Sequence, residues 1–236
     1  MTQWADLPLT SDAVRMLEKS AILPHIAARA ELRSVTKKSD LPPELEHALW
    51  HNCSKQGCDP KCAPNLPGLL FTWTSVDGTK VQQYAPLGRP HARKYVGPKG
   101  VVCGIDVIQR GTGDEVWIVE GTKQHLAAAS YAAPSVTVLG ISGANGWAKA
   151  KTKMTEAVAG LELVEDARVL VMFDADAATN DRVRDAESAL VTMCLKLGAL
   201  EVSICTVPTV DGDSHTGLDD YLAAPGAGSR EQRLAG

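Results

Sequence analysis

Glu120-Gly121, Asp174-Ala175-Asp176 and Asp219-Asp220 are the residues of this chain whose types and spacing could do chemistry. The first two follow directly on apolar runs, 116–119 and 169–173, and the third follows the run 201–207 after a polar loop. Acids placed just past successive strand ends of a parallel sheet converge on one edge. Residues two apart on an extended chain point the same way, about 6–7 Å apart, so Asp174 and Asp176 could both reach one ion. A few carboxylates, completed by waters and phosphate oxygens, are what Mg²⁺ prefers, and an ion so held can act on phosphates. Each acid taken singly could equally cap the following helix or solvate a turn. The three groups in this order on one rhythm of strands favour the metal site.

The elements that must position these acids are read from apolar periodicity. Strands are expected at 116–119, 136–139, 168–173 and 201–207, with helices at 122–131, 151–159 and 180–197 between them. This alternation predicts an α/β fold with a four-stranded parallel sheet and helices on both faces. Gly121 allows a tight turn from strand to helix, and Gly198 stops the longest helix. Upstream the rhythm differs. Thr10-Ser11-Asp12 can cap a helix to about residue 20, and helices are expected at 21–32 and 44–50. Asp77-Gly78 marks a hairpin joining strands at 69–73 and 80–84. The reading is a smaller α+β domain over 1–110, a catalytic domain over 111–225 and a flexible tail or linker over 226–236.

The 236 residues, 44% hydrophobic, suffice for one large core or two modest ones. No apolar run approaches the roughly 20 residues needed to span a bilayer. The start, Met1-Thr2-Gln3-Trp4, has neither the basic nor the apolar part of a secretion signal. The expectation is a cytoplasmic protein with no membrane partner. Net charge is −4, but residues 1–110 hold 14 Lys and Arg against 10 Asp and Glu, whereas 111–236 hold 10 against 18. A basic first half beside an acidic second half suits a polyanion-binding surface next to a metal site.

No acid occurs between Asp77 and Asp106, while Lys80, Arg89, Arg93, Lys94 and Lys99 do, interleaved with Tyr84, His91 and Tyr95. Such a segment suits a single-stranded template or a nucleoside triphosphate. The alternative is a solvated hairpin and loop. Cys53, Cys58 and Cys62, with His51, offer three thiols and an imidazole that could make a tetrahedral Zn²⁺ site. There is no C-x-x-C pair, and a reduced loop is the other reading. Cys103, Cys194 and Cys205 stand in apolar contexts as core residues.

On Glu120-Gly121, the Gly-bearing turn after Leu139, Phe173-Asp174-Ala175-Asp176 and Leu218-Asp219-Asp220-Tyr221, the region 114–222 resembles a Toprim domain, the module shared by bacterial-type primases, topoisomerases and certain nucleases. Val35-Thr36-Lys37-Lys38, Arg93-Lys94-Tyr95, Pro98, Gly100, Glu120-Gly121-Thr122-Lys123 and Gly217-Leu218-Asp219-Asp220-Tyr221-Leu222 extend the resemblance to primase-like Toprim proteins of phages and mobile elements, often joined to a helicase. Replicative primases carry an acid shortly after the Glu-Gly pair, where Thr122-Lys123-Gln124 stand here, and a Gly soon after D-x-D, where Ala177-Ala178-Thr179-Asn180 stand. The resemblance implies that Asp174 and Asp176 ligate Mg²⁺ or Mn²⁺ and that Glu120 is acid/base or a further ligand. It implies that Asp219 or Asp220, with Asp219 favoured, completes the metal environment. Lys123, one turn into a helix, would contact a phosphate, or else be an exposed helix lysine. The implied activity is a primase-like nucleotidyltransferase of phage or plasmid replication, acting on a single-stranded DNA template with nucleoside triphosphates, with a replicative helicase as a further partner. A Toprim nuclease cleaving DNA or RNA, or a non-catalytic module recruiting DNA or a helicase, are the alternatives.

Overall fold

The structure is a computed structural model and describes residues 2–49, 66–87, 94–149, 154–178, 180–213 and 216–225. Thr10 caps α1 (Ser11–Lys19) by accepting the Ala13 N–H, so the free N–H of the first turn is satisfied. Pro24 opens α2 (Pro24–Arg29), where its missing N–H costs nothing. A three-residue strand β1 (Arg33–Val35), too short to show a period, was not anticipated. It pairs antiparallel with β2 (Gly68–Thr74), which pairs with β3 (Lys80–Pro86) across the expected hairpin. The segment expected as a helix at 44–50 is a 3-10 helix, Pro43–Leu49, packed under this sheet through Leu45, Ala48 and Leu49.

The second sheet is mixed and has five strands, which corrects the expected four. In chain order they are β4 (Ile105–Gln109), β5 (Glu115–Glu120), β6 (Thr137–Ile141), β7 (Arg168–Phe173) and β8 (Glu201–Thr206), arranged β4-β6-β5-β7-β8. The last four run parallel, and β4 lies antiparallel on the edge beside β6. The short run around β4 carries Asp106, which is 2% exposed; a buried acid breaks the apolar pattern that marks a strand. The sheet thus begins ahead of residue 111. Between β5 and β6 lies α3 (Thr122–Tyr131), and between β7 and β8 lies α4 (Asp181–Lys196), capped by Asn180. A short α5 (Leu218–Ala223) follows β8. The helix expected at 151–159 is absent from its described part. Residues 154–160 form turns and a bridge, with Met154 (φ 61°) and Gly160 (φ 101°) left-handed, a geometry no α-helix continues through.

Alternation along β5 assigns the two faces. Val116 and Ile118 enter a core completed by Leu190, Met193 and Cys194 of α4. Trp117 and Val119 enter another with Leu126 and Ala127 of α3 and Leu218 of α5. That second core also takes Leu17, Ile22, Leu69 and Phe71, so the amino-terminal elements and the five-stranded sheet share buried surface across the boundary read at 110/111. No described helix is long and apolar enough to cross a membrane.

Candidate active site

β5 and β7 are neighbours in parallel register, with Val119 opposite Met172. Glu120 is therefore the last residue of β5, and Asp174 comes just after the end of β7, on strands about 4.8 Å apart. Gly121 takes φ 96° to turn the chain from β5 into α3, a conformation that a side chain would strain. Asp176 sits in the 3-10 turn Ala175–Ala178 that follows Asp174. The edge so formed is the carboxyl end of the parallel strands, where sites of such sheets form. Among the described residues, no three His, Cys, Asp or Glu side chains converge into a ready-made metal cage.

Two consecutive residues of α3 tie α5 to this edge. Gln124 donates through Nε2 to Asp174 Oδ1 and accepts the Leu218 N–H on its Oε1 at 3.0 Å. Room for it comes from Gly217, where a Cβ would lie 2.9 Å from Asp219 Oδ1 and 3.0 Å from the Gln124 amide. Lys123 reaches the other way. Its Nζ lies 2.7 Å from Asp219 Oδ2, off the line of a hydrogen bond, so the contact is an ion pair. The same ammonium donates to Ser20 Oγ at 2.7 Å. Gln124→Leu should leave the Leu218 N–H buried without a partner, at about 2 kcal/mol. We expect a melting temperature roughly 5 °C lower by circular dichroism; a variant melting with wild type would show that the bridge carries no weight.

Behind Glu120 stands a buried polar network. His125 Nδ1 lies 2.9 Å from the Gly121 carbonyl, and Nε2 lies 2.8 Å from Asp106 Oδ2. The other Asp106 oxygen accepts the Thr74 N–H at 2.7 Å. Thr122, first residue of α3, donates to Gln83 Oε1 of β3, which also accepts from Trp73 Nε1. The Glu120-Gly121 turn is thereby fixed to the hairpin of the amino-terminal half.

The basic stretch divides. Tyr95 packs edge-on against Phe71 at 5.7 Å. Burial first, and then the Asp219, Asp174 and Asp220 carboxylates, push its hydroxyl well above the usual tyrosine range. The segment therefore meets the acid edge at Tyr95, and the exposed Lys94 stands beside it, its ammonium 6.0 Å from the Tyr95 ring. Lys80 and Lys99 instead line a separate cavity of about 740 Å³ together with Glu31, Glu44 and His47, and Lys80 is ion-paired with Glu31. Arg89, Arg93, Cys53, Cys58, Cys62, His51 and the tail 226–236 lie outside the described residues. Glu187, buried on α4, was not singled out by sequence because it reads as one more charge on a polar helix face. It lines a cavity of about 140 Å³ with Asp174, Arg184 and Thr206, and burial raises its pKa. Lys123, read from sequence as a phosphate contact or an exposed helix lysine, is paired with Asp219 and Ser20.

Residues 108–229, slightly more than half the chain, match the family described as a domain of unknown function, DUF3854. The chain belongs to this family. The matched DUF3854 region contains all the strand-end acids and α3, but leaves out the hairpin against which they are fixed. The whole fold is similar to the crystal structure of the Aquifex aeolicus primase (zinc binding and RNA polymerase domains), with a TM-score of 0.59 and 14% identity over 96% of this chain. The chain spans 55% of that structure's length. At this identity the likeness speaks for the fold. No curated protein matches the chain significantly.

Proposed function

We propose that the five-stranded sheet is a Toprim-like catalytic domain and that the protein is a primase-like nucleotidyltransferase of phage or plasmid DNA replication. The observation that carries this is the placing of Glu120 and Asp174 at neighbouring parallel strand ends, with Asp219 drawn to the same edge by the α3–α5 contacts. A fold likeness to a primase structure, spanning both halves of the chain, supports the choice of reaction.

Mg²⁺ is usually bound by one or two carboxylates plus waters and substrate phosphates rather than by an all-protein cage. The donor set of this edge fits that demand, and Glu120, Asp174 and Asp176 would hold Mg²⁺ or Mn²⁺. When bound, the ion would neutralise phosphate charge and stabilise in-line displacement. Glu120 would also serve as the acid/base group. Gln124 holds Asp174 in one rotamer, a pre-organised carboxylate. Lys94, with Arg89 and Arg93, would hold the single-stranded DNA template or the triphosphate, with Tyr95 as the aromatic that anchors this segment to the edge. Cys53, Cys58, Cys62 and His51 would form a Zn²⁺ site, and a replicative helicase would be a partner.

The test is incubation with single-stranded DNA, labelled nucleoside triphosphates and Mg²⁺ or Mn²⁺. Labelled oligonucleotides that disappear with EDTA are the expected result. Cleavage of the template without extension would assign a nuclease instead, and binding of DNA with neither reaction would leave a recruiting module.

A further inference from the structure

A carboxylate that is 5% exposed needs a cation, and at Asp219 the chain supplies its own. The Lys123 ammonium lies 2.7 Å from Asp219 Oδ2, and the Lys123 side chain is 20% exposed. Its position is not that of a free surface lysine swinging onto an acid. The Ser20 hydroxyl at the end of α1 accepts from it at 2.7 Å. The next residue, Gln124, locks α5 through the Leu218 N–H, so helix, acid and ammonium are held together from both sides. Gly217 has no Cβ to hold the Asp219 and Gln124 side chains apart.

We infer that Lys123 is a built-in cation on the Asp219 side of the acid edge, so that the site takes one divalent ion where its acids could otherwise take two. This inference rests on the metal-dependent reading of Glu120 and Asp174 proposed above. A fixed ammonium and a second divalent ion cannot share one buried carboxylate without strong mutual repulsion. Asp219 would then act through Lys123, as a positioning residue, rather than by touching the metal. The ammonium is also a donor already held beside the acid edge, ready for an anionic oxygen of substrate.

The experiment counts Mn²⁺ bound to the full chain, by electron paramagnetic resonance of the free ion. Mn²⁺ is a poor competitor for thiolates, so the cysteines do not enter the count. Wild type should bind one Mn²⁺ per chain and Lys123→Gln two. The double variant Lys123→Gln/Asp219→Asn is neutral and nearly isosteric, which guards against a folding failure of the single variant. It should return to one Mn²⁺, with a Kd within about threefold of wild type. Two ions on wild type, or a tenfold weaker single ion in the double variant, would overturn the inference, because Asp219 would then be a ligand. One ion on both wild type and Lys123→Gln would overturn it as well. No Mn²⁺ on any of the three proteins would instead bring down the metal reading itself.

Discussion

Asp174→Asn is expected to cut metal-dependent nucleotide incorporation about 1000-fold while moving the melting temperature by no more than about 2 °C. The replacement keeps the size of the side chain and an oxygen that can still accept from Gln124 Nε2, so the contact across to α3 survives. What it removes is one negative charge at the end of β7. In phosphoryl transfer the protein contributes almost wholly by positioning and by charge stabilisation. A misplaced or weakly held ion forfeits several kcal/mol of that stabilisation, and about 4 kcal/mol is a factor of about 10³ in rate. The loss should fall on kcat, with KM for the nucleotide changed far less, because the basic residues beside Tyr95 are untouched. Single-turnover incorporation in Mn²⁺, with circular dichroism as the folding control, measures both quantities. A variant retaining a tenth of the wild-type rate would remove Asp174 from the centre of the chemistry.

The placement of Glu120 and Asp174 at neighbouring strand ends was legible in the sequence, because short apolar runs announce buried parallel strands and the next polar residue marks where each stops. Contacts between elements were not. Gln124 meets Leu218 across 94 residues of sequence, and no local pattern says that the two face one another. The pairing of Lys123 was hidden for the same reason: its partners Ser20 and Asp219 come from the ends of α1 and α5. The fifth strand escaped notice because Asp106 interrupts its apolar run, and the partners that let it be buried, His125 and the Thr74 N–H, stand on other elements. In its described part, the helix expected at 151–159 is excluded by the left-handed backbone at Met154, which composition does not report. Side-chain periodicity thus specified the four parallel strands, and the long-range polar pairs that hold the edge in shape lay beyond it.

Those polar pairs set the second large effect, on stability. Asp106→Ala should lower the melting temperature by roughly 10 °C or more. The Asp106 and His125 side chains are 2% and 1% exposed. The two groups facing the His125 ring, the Gly121 carbonyl and the Asp106 carboxylate, can only accept. Removing the acid therefore leaves the buried His125 Nε2 and the Thr74 N–H without their partner together. Breaking a buried pair from one side costs about 3–5 kcal/mol, and each kcal/mol lowers the melting temperature of a chain this size by about 2–4 °C. Gly140 allows this packing, since its missing Cβ, which would lie 2.5 Å from the His125 ring, lets the imidazole sit flush on β6. A double-mutant cycle with His125→Ala separates the pair from simple loss of volume. If the two act as one unit, the double variant should lose less stability than the two single losses added together, by about 1–3 kcal/mol; strict additivity would deny the coupling. Because His125 also contacts the Gly121 carbonyl at the Glu120-Gly121 turn, the folded fraction of Asp106→Ala should incorporate nucleotide more slowly per molecule than wild type; an unchanged single-turnover rate would show that the turn does not depend on the pair.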